Sequence, residues 1–160
     1  VVVLDVDKAG AAVTRQRALD AVRTVWVAFL VDDDMFYPNH LQVLHGMVTE
    51  TNAVFAYSWF DGNNPFPGHR GKIMDLDNPH HTTMTVLVRT DIAQAAGFLQ
   101  PDGPMHQDWS GEDWQFELRC FEQIKERWGS SGEVKVVGTP TVTWHYRVHG
   151  RNTSGLPGRW

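Results

Sequence analysis

The residues Val25-Trp26-Val27-Ala28-Phe29-Leu30-Val31 run without a polar break into Asp32-Asp33-Asp34. Seven consecutive apolar residues rich in valine read as a strand buried on both faces, as in a parallel sheet. In open α/β sheets, ligands bind beyond the carboxyl ends of the strands. Three carboxylates at that point repel one another unless a cation sits among them. Hard oxygen donors of this kind suit Mg²⁺ or Mn²⁺, usually shared with substrate phosphates. The junction is therefore expected to hold a metal–phosphate group, with two of the aspartates serving it and the third partly structural. The competing reading is helix capping, with Asp34 placed ahead of the helix that Pro38 opens.

The rest of the chain alternates strand and helix patterns. Residues 1–4 read as a short strand. Residues 11–23 read as a helix with Ala12, Leu19 and Val22 on one face. A second helix spans 38–50, where Leu41, Leu44, Met47 and Val48 recur at helical spacing. Strands are expected at 53–58 and 82–88, and Thr90 caps a short helix that Gly97 ends. Between the two strands, residues 61–81 carry three prolines, three glycines and three asparagines, marking a long functional loop. A further irregular stretch, 98–111, leads into the strongest helix, 112–128. On that helix Trp114, Leu118, Phe121 and Trp128 form the apolar stripe, with Glu117, Glu122 and Glu126 off it. Final strands are expected at 134–137 and 141–145. This order implies a single α/β domain over 1–160, with a mostly parallel open sheet flanked by helices. It divides into 1–58, 59–145 and a basic tail (146–160).

Composition narrows the function. The 160 residues are 42% hydrophobic and 21% charged, enough to build a globular core. A net charge of −5 argues against a nucleic-acid partner, because phosphate-backbone affinity needs a basic surface. The single cysteine, Cys120, excludes an intrachain disulfide framework and fits a reducing, cytoplasmic setting. No apolar stretch reaches the roughly 18–20 residues of a membrane span.

Two further constellations carry chemistry. Glu112 and Asp113 open the strongest helix, whose dipole favours the ionised carboxylate needed by a general base. Plain helix capping is the alternative. Toward the end, Trp144-His145-Tyr146-Arg147-Val148-His149 is followed by Arg151 and Arg159. Neutral imidazole ligates metals and guanidinium forks suit phosphate oxygens, whereas an ordinary basic tail explains the same residues. Asn152-Thr153-Ser154 also matches a glycosylation sequon. His80-His81 read as loop residues or acceptor contacts. Trp59, Phe60 and Phe66 read either as a sugar-stacking surface or as core.

These three sites, in this order, resemble the GT-A glycosyltransferases, family 2 in particular. Thr14-Arg15-Gln16 and the run from Trp26 to Asp34 are similar to the family's stretch from its "ARN" helix into the DXD strand, although Gln16 replaces the usual asparagine. Val86-Leu87-Val88-Arg89 and Ala96-Gly97-Phe98 resemble the strand and glycine–phenylalanine turn before the acceptor side. Glu112-Asp113 matches the "ED" of the catalytic helix, and residues from Trp144 to Trp160 resemble the end of bacterial and phage-borne members. The resemblance implies an inverting transfer from a nucleoside-diphosphate sugar, UDP- or GDP-linked, to an acceptor hydroxyl. By that likeness Asp32 and Asp34, with His145, hold Mn²⁺ or Mg²⁺, and Asp113 is the base with Glu112 binding acceptor. Arg15, Asp32, Asp33, Arg147 and Arg151 contact the nucleotide. The same likeness implies a metal and nucleotide role for 1–58 and an acceptor and catalytic role for 59–145. The acceptor is a glycan, a lipid carrier, a protein or a small molecule. Family members carry two βα units before the stretch that begins here. The chain is therefore expected to be a fragment or a form lacking part of the nucleotide pocket, with exposed apolar surface favouring a homo-oligomer. A non-catalytic GT-A-like module is the alternative. A nucleotidyltransferase is a minor third reading, for which no Gly-rich, Lys-containing phosphate loop is seen.

Overall fold

Period-two alternation in the strands sorts their side chains to the two faces of one sheet, and the helices cover both. The structure is a computed structural model that describes residues 10–62, 85–98, 112–129 and 135–147. Five strands, β1 (Trp26–Ala28), β2 (Met35–Phe36), β3 (Phe55–Gly62), β4 (Val86–Arg89) and β5 (Val136–Tyr146), lie in the order β1-β4-β3-β5-β2. Four helices accompany them: α1 (Ala11–Asp20), α2 (His40–Thr51), α3 (Thr90–Ala96) and α4 (Glu112–Trp128). On one face Phe55, Tyr57, Val86 and Val88 meet Leu19 of α1, Ile92 and Ala93 of α3, and Phe116, Cys120 and Phe121 of α4. On the other face Ala56 and Leu87, the alternate positions, meet Leu44 and Val48 of α2.

The α/β class holds, and the sheet is mixed. The long β3–β5 pairing is parallel, from Phe55↔Val136 to Gly62↔Tyr146. The pairings β1–β4, β3–β4 and β2–β5 are antiparallel. The expectation of a mostly parallel sheet misses β4, which runs back between β1 and β3. Because β4 opposes both neighbours, β1, β3 and β5 point the same way, and their carboxyl ends open at one edge. That edge is where the site lies.

Several local expectations are corrected. Of the apolar run 25–31 only Trp26–Ala28 enters the ladder, and Val25 and Leu30 are 67% and 55% exposed. β1 stands at the end of the strand order, with Val27 buried on one face and Trp26 and Ala28 only partly buried on the other. Past Ala28 the chain leaves the ladder, Phe29 packs between two apolar clusters and Val31 packs against the second. Asn39, not Asp34 or Pro38, precedes the first residue of α2, and Asn52 ends it in the left-handed conformation at φ 56°. At α3 the N-cap is Arg89 and Thr90 is already helical, while Gly97 closes the helix at φ 64°. The two expected final strands form one, β5. The buried face of α4 is Phe116, Glu117, Cys120, Phe121 and Ile124. It is rotated from the expected stripe, which places Glu117 inside. Residues 1–4 and most of the 61–81 and 98–111 stretches lie outside the described residues. Among the described residues no helix is long and apolar enough to cross a membrane.

One buried polar chain pins α2 to the sheet. His40, 1% exposed, shares a 2.7 Å hydrogen bond between its Nδ1 and the Thr143 hydroxyl, which in turn lies 2.6 Å from the Ser58 hydroxyl. The His40 ring stacks on Phe36 at 3.8 Å. Burial lowers the His40 pKa from 6.5 to about 4. The unfolded chain therefore binds a proton that the folded chain refuses between those values. Stability should fall as pH drops through that window, by about 1.4 kcal/mol per unit and by roughly 3 kcal/mol in all. Urea unfolding at pH 4.5 and 7.5 measures this gap. A His40→Gln variant, with no charge to gain, should show a smaller gap than the parent, and an equal gap would contradict this role for His40.

Candidate functional site

The carboxyl edge gathers residues from three strands. Asp32 and Asp33 form a turn after β1, and Asp34 leads into β2. The pairing Met35↔His145 brings β2 against the end of β5. There the Asp34 carboxylate accepts a 3.0 Å hydrogen bond from the Arg147 backbone N–H. The pairing Asp61↔His145 does the same for β3. The His145 Nδ1 lies 2.8 Å from Asp61 Oδ1, and the Tyr37 hydroxyl donates to both Asp61 oxygens at 2.9 and 3.1 Å. Burial works to raise Asp61, but the bonds from His145 and Tyr37 outweigh it and hold the carboxyl below its usual 3.8. Asp61 is therefore an ionised acceptor, which favours the His145 tautomer that donates from Nδ1. Asp34 moves the other way. Burial raises it, aided by the charge of Asp33 and opposed by the Arg147 N–H.

Asp34, His145 and Arg147, far apart in sequence, are thus brought together as the motifs suggest. Asp61 and Tyr37 were missed. Asp61 carries the same signal as the aspartate triplet, a carboxylate at the carboxyl end of an apolar strand, but the Pro- and Gly-rich composition after it reads as loop. The expected metal cradle does not form. Asp34 is turned to a backbone N–H, and Asp32 is exposed on its turn. Among the described residues no three Asp, Glu, His or Cys side chains come together in a group that could hold a metal ion. Trp59 is buried, and Phe60 packs on Trp144 with ring centroids 4.8 Å apart, so both are core rather than a sugar platform. Phe66, His80, His81, His149, Arg151, Arg159 and the 152–154 sequon lie outside the described residues.

The second half of the site is the start of α4. Arg15 of α1 forms an ion pair with Glu112. The Arg15 guanidinium, expected at the nucleotide, engages the carboxylate expected to bind acceptor. Its neighbour Gln16 accepts a 2.5 Å hydrogen bond from the Phe98 N–H, tying α1 to the end of α3. The Asp113 carboxylate accepts a 3.0 Å bond from the Trp114 N–H. Burial, and then the Glu112 charge, raise Asp113 above 3.8, against the pull of Arg15 and the backbone N–H groups. Removal from water thus works against the helix dipole at this position. A carboxyl with heightened proton affinity is a stronger base once ionised.

Phe29 joins the halves. Its ring meets Phe98 at 5.3 Å and Phe116 at 5.4 Å in edge contacts, and Phe98 stacks on Phe116 at 4.2 Å. Phe29 also packs on the cluster of Trp144 and Tyr146. It stands three residues before Asp32, and Phe116 stands three after Asp113. The aspartate turn and Asp113 therefore share one aromatic wall.

No protein-family model and no curated protein matches this chain. Solved structures do. The structure of S. aureus TarS 1-349 in complex with UDP-GlcNAc matches 93% of this chain and 42% of its own, at 15% identity and a TM-score of 0.68. The complex of TarS 1-349 with UDP matches 91% of this chain and 42% of its own, at 16% identity and a TM-score of 0.65. The structure of TarS without the 1-349 limits matches 91% of this chain and 25% of its own, at 17% identity and a TM-score of 0.63. At these identities the likeness shows the fold, an α/β architecture of the GT-A type. The chain spans less than half the length of the TarS structures it matches.

The raised Asp113 has a consequence for stability. Above 3.8 the unfolded chain releases its proton before the folded chain does, so stability falls as pH rises through the folded value. Asp113→Asn removes that cost, which is about 1.4 kcal/mol for each unit of displacement. The variant should be more stable than the parent at pH 7 and equal to it near pH 3.5. Thermal unfolding across this range checks the sign, and a variant less stable at pH 7 would contradict it.

Proposed function

We propose that this chain forms the catalytic part of a glycosyltransferase that moves a sugar, with inversion, from a UDP- or GDP-linked donor to an acceptor hydroxyl. The observation that carries the reading is the convergence at one sheet edge of Asp34, His145 and Arg147 with a buried carboxyl, Asp113, across the Phe29 wall. The likeness to TarS structures holding UDP-GlcNAc and UDP supports a nucleotide-sugar donor.

In this reading Asp113 takes the proton of the acceptor hydroxyl as its oxygen bonds to the anomeric carbon. The bond from that carbon to the diphosphate oxygen breaks on the opposite face, which inverts the centre. The nucleoside diphosphate departs with the electron pair. The Arg147 guanidinium meets the negative charge that develops on the diphosphate in this reading, and as a cationic donor stabilises it. His145, fixed by Asp61, presents one ring nitrogen to the donor, and Asp32 and Asp33 face the ribose side of the turn. Arg151 is a further diphosphate contact in this reading. Glu112 orients the acceptor through its pair with Arg15. The acceptor class is a glycan, a lipid carrier, a protein or a small molecule. Val25, Leu30 and Met35, all exposed, favour self-association.

One observation favours a non-catalytic binding module instead: Arg15 already occupies the carboxylate assigned to the acceptor. Calorimetry with UDP and GDP, with Mn²⁺ and with chelator, combined with UDP release from UDP-GlcNAc, separates the two. The transferase reading expects nucleotide binding, slow donor turnover on water, and an Asp113→Asn variant about 10²–10⁴-fold slower with unchanged UDP affinity. No binding of either nucleotide, or full turnover by the variant, would overturn it.

A further inference from the structure

Glu117 breaks the pattern of the helix that carries it. It is 0% exposed and lies among Phe116, Cys120, Phe121 and Ile124, where an apolar side chain would complete the stripe. Among the described residues neither of its carboxyl oxygens has a hydrogen-bond partner. A buried, unpartnered carboxyl is costly even when neutral and far more so when charged. Residues that break a local rule with no structural gain concentrate at functional sites. Glu117 stands four residues after Asp113, the spacing that puts two side chains on one side of a helix.

Among the described residues no cation is paired with Glu117. On α4 its neighbours are Asp113 and the buried Cys120. Arg119 instead donates to the carbonyls of Ala96 and Gly97, at 2.8 and 2.5 Å. From α1, Arg15 is engaged by Glu112. From α3, Asp91 pairs outward with Arg89 and Arg127. The facing sheet presents Phe55, Tyr57, Val86 and Val88.

We propose that Glu117 is a positioning residue for Asp113: a buried carboxylic acid, one helical turn on, whose hydroxyl turns to the Asp113 carboxylate and holds the base ionised in a dry pocket. The proposal rests on the reading of Asp113 as the base. Burial, and then the charge of Asp113, keep the proton on Glu117 well above the usual carboxyl range. The pair then carries one proton and one negative charge, and a proton donor beside a carboxylate favours its charged form. When Asp113 takes the acceptor's proton, the pair becomes neutral, the state its apolar surroundings prefer. The two groups titrate as a unit.

Carboxyl carbon NMR titrations of the whole chain test this without any turnover. Glu117→Leu should raise the Asp113 midpoint by about one pH unit, a tenfold gain in proton affinity. Glu117→Gln, whose carboxamide also donates, should return it most of the way. An unmoved midpoint in the Leu variant, or a Gln variant that behaves like Leu, overturns the proposal. Should the Leu variant not fold, the reverse titration decides. Asp113→Asn should lower the Glu117 midpoint, and an unmoved Glu117 overturns the pairing. Because neither titration needs a substrate, failure of the transferase reading leaves these outcomes intact. Where turnover is measured, the acid limb of kcat/KM should shift up with Leu and back with Gln.

Discussion

The contact of Phe29 with Phe98 and Phe116 is the constraint on which the site depends. Phe29 follows β1 directly, so the sheet fixes where its ring begins. Phe98 follows the glycine that ends α3, and Phe116 lies in the first turn and a half of α4. Three elements remote in sequence thus meet in one aromatic packing unit, and edge and stacked contacts of this kind add specific geometry to area burial. Glu112 and Asp113 are held by the same packing, since they sit at most one turn from Phe116. On its other side Phe29 touches the Trp144 and Tyr146 cluster, which flanks His145. The acidic turn, the histidine and the buried carboxyl are therefore set by one group of side chains rather than by independent loops.

Electrostatics divides the two halves. At the strand ends, Asp61 is stabilised as an anion by His145 and Tyr37, while Asp34 is half-buried and pushed toward its neutral form. At the helix start, Glu112 is neutralised by Arg15, and Asp113 is left with little compensation for its burial. Carboxylates with side-chain partners are favoured as anions, whereas burial raises Asp113 against only backbone N–H groups and the charge of Arg15. Perturbed carboxyls of that kind cluster where chemistry is done.

Much of this was legible in the sequence. The α/β class and most of the helices and strands follow from periodicity and from where polar residues interrupt apolar runs; β2 carries no such signal, and the grouping of Asp34 with His145 and Arg147 is implied by the family resemblance. What was not legible depends on neighbours. The run 25–31 has the composition of a doubly buried strand, yet only tertiary placement decides that β1 lies at the end of the strand order and that Phe29 bridges two apolar clusters. The direction of β4 is invisible to local pattern, and with it the mixed character of the sheet. On α4 a rotation of the apolar stripe moves Glu117 from solvent to core. The aromatic residues Trp114 and Trp128 pull a sequence reading to the wrong face. Asp61 was hidden by the turn-forming composition that follows it, and the link of Arg15 to Glu112 spans 97 residues.

The most direct test of the convergence is amide chemical-shift mapping of the chain titrated with UDP. Perturbations are expected at residues 31–37, 61–62 and 145–147, with a second group at 112–117 transmitted through Phe29 and Phe116. Perturbations confined to other surfaces, such as the exposed side of α2, would contradict the assignment of this sheet edge as the nucleotide site.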